Sequence, residues 1–210
     1  MKFRLVCAAV ASAGVLSACT GVHPGAAVIL NSHKIALSDV DVATRGFCAV
    51  SLASSTSGSV PTVADSRLQA LQQLVIAELA EQVATQRGIK VKPEELTDDD
   101  VANIVKNFGK RADDVVATSE LLASVTPIVR AIGEADTGLK ADPAQPQSEV
   151  TTKVMNAGYA VVEAALHDAK ITINPELGIT SIDDSEISSG SLSVLGNSTP
   201  ITPSAALSCS

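Results

Sequence analysis

The sequence is nearly without aromatic residues, holding three Phe, one Tyr and no Trp among 210. Stacking platforms for bases or sugars are therefore hard to build from it, and Val, Ala, Leu and Ile must supply the core. Histidine is as scarce: His23, His33 and His167 are scattered along the chain. Surface and turn positions account for them better than a metal or acid–base role. No G-x-S-x-G, no glycine-rich phosphate loop and no Cys-x-x-Cys occurs. Fifteen Lys and Arg stand against 23 Asp and Glu, giving a net charge of −8 with no basic run. That sign opposes steering to nucleic acid or to anionic lipid. The acidic run Asp98-Asp99-Asp100 lacks the alternating ligand spacing and central glycine of a calcium loop, and fits a helix N-terminus, where negative charge is favoured. Asp183-Asp184-Ser185-Glu186 reads as a solvated turn. These absences argue against an enzyme and against any cofactor or metal, and for binding or scaffolding.

What is present begins with a processing signal. Lys2 and Arg4 form a basic head, and residues 5–16 are an almost unbroken run of apolar and small residues, the layout of a secretory signal peptide. The run is about a dozen residues where a spanning helix needs roughly 20. Behind it, Leu16-Ser17-Ala18-Cys19 resembles a bacterial lipobox, in which the cysteine thiol is acylated before cleavage makes it the new N-terminus. We expect a signal peptide over 1–18, lipid on Cys19, and a short tether over 19–25. Loss of Lys2 and Arg4 takes the net charge from −8 to −10. Membrane attachment then comes from the acyl chains, at about 0.8 kcal/mol per buried methylene. The location expected is the extracytoplasmic face of the cell membrane.

Cleavage removes Cys7, and lipidation occupies Cys19, so Cys48 and Cys209 are the thiols left in an oxidising compartment. We expect them to pair, the alternative being two unpaired thiols. A bridge would draw the Ser-, Thr- and Pro-rich tail over 196–210 back onto the body.

Along the body, residues 26–31 read as a strand, Asn31-Ser32-His33 as a turn and residues 35–37 as a second strand. Ser38 with Asp41 fits a capped helix start, and Val40, Ala43, Phe47 and Val50 follow at helical spacing, with Cys48 among them. The strongest helical signal is Leu68, Leu71, Val75, Leu79 and Val83, expected at the centre of the core and stopped by Gly88. Pro93 suits the first turn of another helix. Thr97 and Asp100 form a second capping pattern, opening a helix with Val101, Ile104, Val105 and Phe108 inward. Residues 113–132 read as helix, which Pro127 should kink or divide. Residues 138–147, with Pro143 and Pro146, are the clearest break. Val150, Val154, Ala157, Val161, Ala164 and Ala165 mark a last helix, after which 171–182 returns to strand character. Strands at both ends and helices between predict a mainly α fold with a small β-sheet made by the N- and C-terminal strands, in one domain over 26–195.

"AAVILNSHKIALSDVD" and "LQALQQLVIAELAEQVATQRGIKVKPEEL" together resemble the N-terminal chaperone domain of SurA, PrsA and related extracytoplasmic foldases. The residues that carry the resemblance are Ala27, Val28, Asn31, Ile35, Ser38 and Asp41, then Leu71, Leu74, Val75, Leu79, Ala84, Gly88, Ile89, Val91 and Glu95. They cover roughly residues 26–110. "ITINPELG" followed by "SLSVL" resembles the closing strands of actinobacterial lipoproteins that keep this domain alone. Ser32 replaces the usual turn glycine, and Leu177 replaces an aromatic often seen before the following glycine. The foldases add a parvulin-type prolyl isomerase domain; residues 94–169 read as helices, so no such domain and no isomerase activity are expected. The resemblance implies a membrane-anchored chaperone that holds unfolded or exported polypeptides in an apolar cleft between its helices. The alternative is a structural lipoprotein of the cell envelope that binds one defined partner. A small-molecule binding role is disfavoured by the scarcity of aromatics.

Overall fold

The computed structural model describes residues 24–55, 61–179, 182, 208 and 209. The expected signal peptide, Cys19, His23, residues 183–186, "SLSVL" and most of the tail lie outside the described residues. Strands β1 (Ala26–Leu30) and β2 (His33–Ala36) open the fold, followed by helices α1 (Leu37–Ser54), α2 (Val63–Gln86), α3 (Asp98–Phe108), α4 (Ala112–Thr137) and α5 (Glu149–Asp168). Strand β3 (Ile171–Ile173) and a 3-10 turn at Pro175–Leu177 follow, and another 3-10 turn at Gly109–Arg111 joins α3 to α4. The architecture is mainly helical with one small antiparallel sheet in the order β2-β1-β3.

The sheet joins the two ends of the domain because β1 is apolar along its whole length. A strand buried on both faces reads as a continuous apolar run, and four of the five β1 residues are buried. On one side Val28 pairs with Ile35 and Leu30 with His33; on the other Val28 pairs with Ile173 and Leu30 with Ile171. The hairpin turn places Asn31 at φ 51° and Ser32 at φ 80°, the left-handed pair that two-residue hairpins need and that favours Asn-Gly. Asn31 also works beyond the turn. Its main-chain N–H donates to Lys170 O (3.0 Å), its Oδ1 accepts from Lys170 N (2.9 Å), and its Nδ2 donates to Gln82 Oε1 on α2 (3.1 Å). At the far end of β3, Asn174 donates its main-chain N–H to Ala27 O (2.8 Å) and its Nδ2 to Ala26 O (3.1 Å).

Helix α2 is the centre of the core, as its period predicts, except that Leu68 is only half-buried. Leu71, Val75, Leu79 and Val83 are buried with Val28 and Leu30 of β1, Val125, Val129 and Ile132 of α4, and Val162 and Leu166 of α5. Thr62, its N-cap, accepts from Asp65 N, and Gly88 at φ 67° stops it. Three glycines set how closely the helices approach. A methyl on Gly133 of α4 would collide with Val154 O of α5, and one on Gly158 of α5 with Val129 O of α4. A methyl on Gly46 of α1 would collide with the Thr118 hydroxyl and with Asp114 O, both on α4. Beside Gly46, the Arg45 guanidinium holds the Asp114 carboxylate in a two-pronged pair, Nε to Oδ2 at 3.0 Å and Nη2 to Oδ1 at 2.9 Å, a geometry suited to Arg and carboxylate.

Several local expectations are corrected. Helix α1 begins at Leu37 with Ala36 as its cap and no side-chain bond there; Ser38 lies inside the helix and bonds Asp39. Val50 is exposed, because the buried stripe of α1 runs through Val40, Ala43, Thr44, Phe47 and Cys48. Pro93 starts no helix: residues 89–97 carry no regular structure, and the helix waits for the Thr97 cap. Pro127 neither divides nor ends α4, which continues to Thr137 with the proline ring buried. In α5 the buried face is Thr151, Val154, Gly158, Val162 and Leu166, while Val150 and Ala164 are exposed. That face is rotated about one position from the expected one, because the backbone contact at Gly158 fixes which side meets α4.

Candidate polypeptide-binding surface

Helix α3 is built by its cap and only partly covered by its neighbours. The Thr97 hydroxyl accepts from Asp100 N (3.2 Å), and Asp100 Oδ2 accepts from Thr97 N (3.1 Å) and from the Thr97 hydroxyl (2.6 Å). These bonds, the side-chain one first, hold the Asp100 carboxyl below the usual carboxylate range and fit negative charge to a helix start. The run Asp98–Asp100 is thus explained as a helix N-terminus. Its apolar residues Val101, Ile104, Val105 and Phe108 recur on one side at helical spacing. The expectation that they face inward fails: α3 has no buried residue, three of the four are half-buried, and Val105 is 51% exposed. The physical reason lies in its neighbours, since its contacts are chiefly with the 3-10 turn and α4 that follow it. By length and apolar content Asp98–Thr137 reaches what a membrane crossing requires, yet Val125, Val129 and Ile132 of that stretch are core residues.

Immediately before α3, the chain borders a cleft of about 370 Å³. One wall is the irregular segment after Gly88, the other is α4 at Pro127, Arg130 and Glu134, and the rim is Ala141 and Pro143 of the α4–α5 loop. Along the segment exposure alternates: Ile89 and Val91 are half-buried, Lys90 and Lys92 exposed. Ile89 donates its N–H to Ala84 O (2.8 Å), but the main-chain groups of residues 90–96 make no hydrogen bond with the described residues. The cleft is polar. Apolar exposure lies instead on the α3 surface.

The charges in the cleft are unevenly occupied. Burial pushes the Glu134 carboxyl upward, but bonds from Lys140 Nζ (2.6 Å) and Ala141 N (3.1 Å), with the charges of Lys140 and Arg130, outweigh it and leave its pKa below the usual value. Arg130 reaches Glu94 at 3.7 Å, longer than a hydrogen bond. Lys90 and Lys92 project from the opposite wall.

The remaining candidate residues lie apart from this surface. His33 Nδ1 is 2.9 Å from Glu78 Oε1 of α2, and His167 is exposed in the last turn of α5. No group of three or more His, Cys, Asp or Glu suited to a metal occurs among the described residues. The structure joins Cys48 to Cys209 by a disulfide across 161 residues of sequence. Around it Cys209 N donates to Pro61 O (3.0 Å), Ser208 bridges Thr62, and the Ser66 hydroxyl lies 3.4 Å from Cys209 Sγ. Sequence reasoning missed the cleft, since its walls come from three separated segments; the alternating "IKVK" after Gly88 was the available signal. No protein-family model, curated protein or solved structure matches the chain.

Proposed function

We propose that this protein is a lipoprotein, anchored through Cys19 at the extracytoplasmic face of the cell membrane, that holds exported polypeptides in a chaperone-like, SurA-like manner without catalysing a reaction. The single observation that carries the binding role is α3. It is a well-capped amphipathic helix with four apolar residues on one side, of which Val101, Ile104 and Phe108 are half-buried and Val105 is exposed. An apolar surface kept on a stable helix offers a landing place for apolar segments of an unfolded chain. The anchoring rests on the basic head, the apolar run and Leu16-Ser17-Ala18-Cys19. The strand–hairpin–helix layout through residue 110 is consistent with the SurA-type resemblance.

The test is suppression of aggregation of a chemically unfolded client by the mature chain carrying Cys19→Ser. Stoichiometric protein should suppress light scattering, and Val105→Asp with Ile104→Asp should remove most of the effect while leaving the circular dichroism spectrum of the fold. No suppression at excess protein refutes the holding role. Intact mass of the membrane-extracted protein tests the anchor: added acyl mass on a chain beginning at Cys19 is expected, and an unmodified Cys19 refutes it.

A further inference from the structure

We propose that the cleft beside residues 90–96 receives an extended, acidic segment of polypeptide, paired along the main chain of that segment and held by Lys90, Lys92 and Arg130. This rests on the polypeptide-holding reading above and adds a second contact place, the cleft preceding α3, with the kind of segment bound there. The first argument is the free edge. Residues 90–96 are irregular, exposed at Lys90 and from Lys92 to Glu95 with Val91 and Leu96 half-buried, and without main-chain hydrogen bonds to the described residues. Unpaired main-chain groups can pair with an extended peptide, as they do where a strand adds to a sheet edge. At about 3.3 Å per residue, residues 90–94 present roughly 13 Å of edge. Pro93 has no N–H to offer, so the pairing is set by its neighbours.

The second argument is enclosure. The cleft has a second wall on α4 and a rim at Ala141 and Pro143, so a strand lying on the edge would also meet the Arg130 side chain, which is 20% exposed. Val91 and Pro127 supply apolar contact at the same place. The third argument is charge. On a chain of net charge −8 with 15 cations, Lys90, Lys92 and Arg130 converge on one cleft. Of the two carboxylates there, Glu134 is already engaged by Lys140 and Ala141 N, and Glu94 holds Arg130 only at 3.7 Å. A carboxylate from a bound segment can displace Glu94 and make the shorter, two-pronged contact that a guanidinium favours.

The experiment measures fluorescence anisotropy of labelled eight-residue peptides with the mature chain carrying Cys19→Ser. The peptides are an alternating Glu/Val sequence, its Lys/Val counterpart, and the Glu/Val sequence N-methylated at alternate residues. The acidic peptide should bind at least tenfold more tightly than the Lys peptide. N-methylation should weaken it, and Lys90→Glu with Lys92→Glu should weaken it about tenfold, both lysines being exposed and free of a folding role. Equal affinity for the acidic and Lys peptides, or no effect of the double substitution, overturns the proposal. Displacement by inorganic polyphosphate together with undiminished binding of the N-methylated peptide also overturns it, leaving only an anion site. The two readings fail separately. Aggregation suppression without charge preference removes the acidic cleft and keeps the holding role, whereas selective binding of the acidic peptide without suppression does the reverse.

Discussion

Replacing both Cys48 and Cys209 by Ser tests how this domain is held closed. The bridge spans 161 residues, and the chain-entropy relation for a loop of that length gives about 5 kcal/mol of stabilisation, acting on the unfolded state. Among the described residues, several contacts accompany it. Cys209 N to Pro61 O, the Ser208–Thr62 bridge and the Ser66–Cys209 contact contribute about 1 kcal/mol each as ordinary hydrogen bonds. Together they fall short of the loop entropy, so the last described residues should leave α1 and α2 once the covalent bond is gone. For a chain of this size each kcal/mol moves the melting temperature by about 2–4 °C, so the double variant should melt about 10–20 °C lower. Thermal unfolding followed by circular dichroism gives the shift, and urea unfolding should show a steeper slope, since an unbridged unfolded chain exposes more surface. Amide exchange at Ser208 and Cys209 should become fast while the amides of α2 stay protected. A melting change below about 3 °C with unchanged denaturant slope would refute the reasoning, because the bridge would then be closing a loop already closed by other contacts.

Three further outcomes follow from the packing. Gly158→Ala sets a methyl against Val129 O, a main-chain atom that cannot swing aside. Overpacking of this kind should destabilise by about 2–3 kcal/mol in urea unfolding, and a neutral result would mean that α4 and α5 lie farther apart. Ser32→Gly relieves a side chain held at φ 80° and should stabilise by about 0.5–1 kcal/mol, read from the urea midpoint; destabilisation would show that Ser32 makes the turn by other means. Glu134 has a folded pKa below its ordinary 4.5, so its contribution is present above about pH 4.5 and is lost as pH falls through the lower folded value. E134Q should therefore be less stable than the parent at pH 7, and the gap should close toward pH 3; a gap independent of pH contradicts the charge-based account.

Much of the local structure is legible in the residues themselves. The 3.6-residue period of Leu71, Val75, Leu79 and Val83, the Gly88 stop and the Thr97–Asp100 capping box depend on neighbours within a few positions, and each appears in the structure where the sequence puts it. The apolar run at β1 likewise announces a strand, and of the strand character expected over 171–182 only Ile171–Ile173 pairs with it, Pro175–Leu177 being a 3-10 turn. The candidate surface is legible only in part. Four apolar residues on α3 look identical in sequence whether a partner helix covers them or not, and coverage is decided by which elements pack there. Alternation in "IKVK" hints at an exposed edge, but the opposing Arg130 lies some 40 residues away along the chain.

By itself the sequence predicted the helical class, most of the element order, the Thr97 cap and the pairing of Cys48 with Cys209. Those follow from short-range periodicity, turn chemistry and elimination among four cysteines. Tertiary structure alone decided that Pro127 sits inside an unbroken α4, that α5 turns its Gly158 side inward and that α3 stays only partly covered. It also decided that Lys90, Val91, Lys92 and Glu94 face α4 across a charged cleft. In each case the deciding contact is between backbones or side chains far apart in the chain, where no local pattern carries the information.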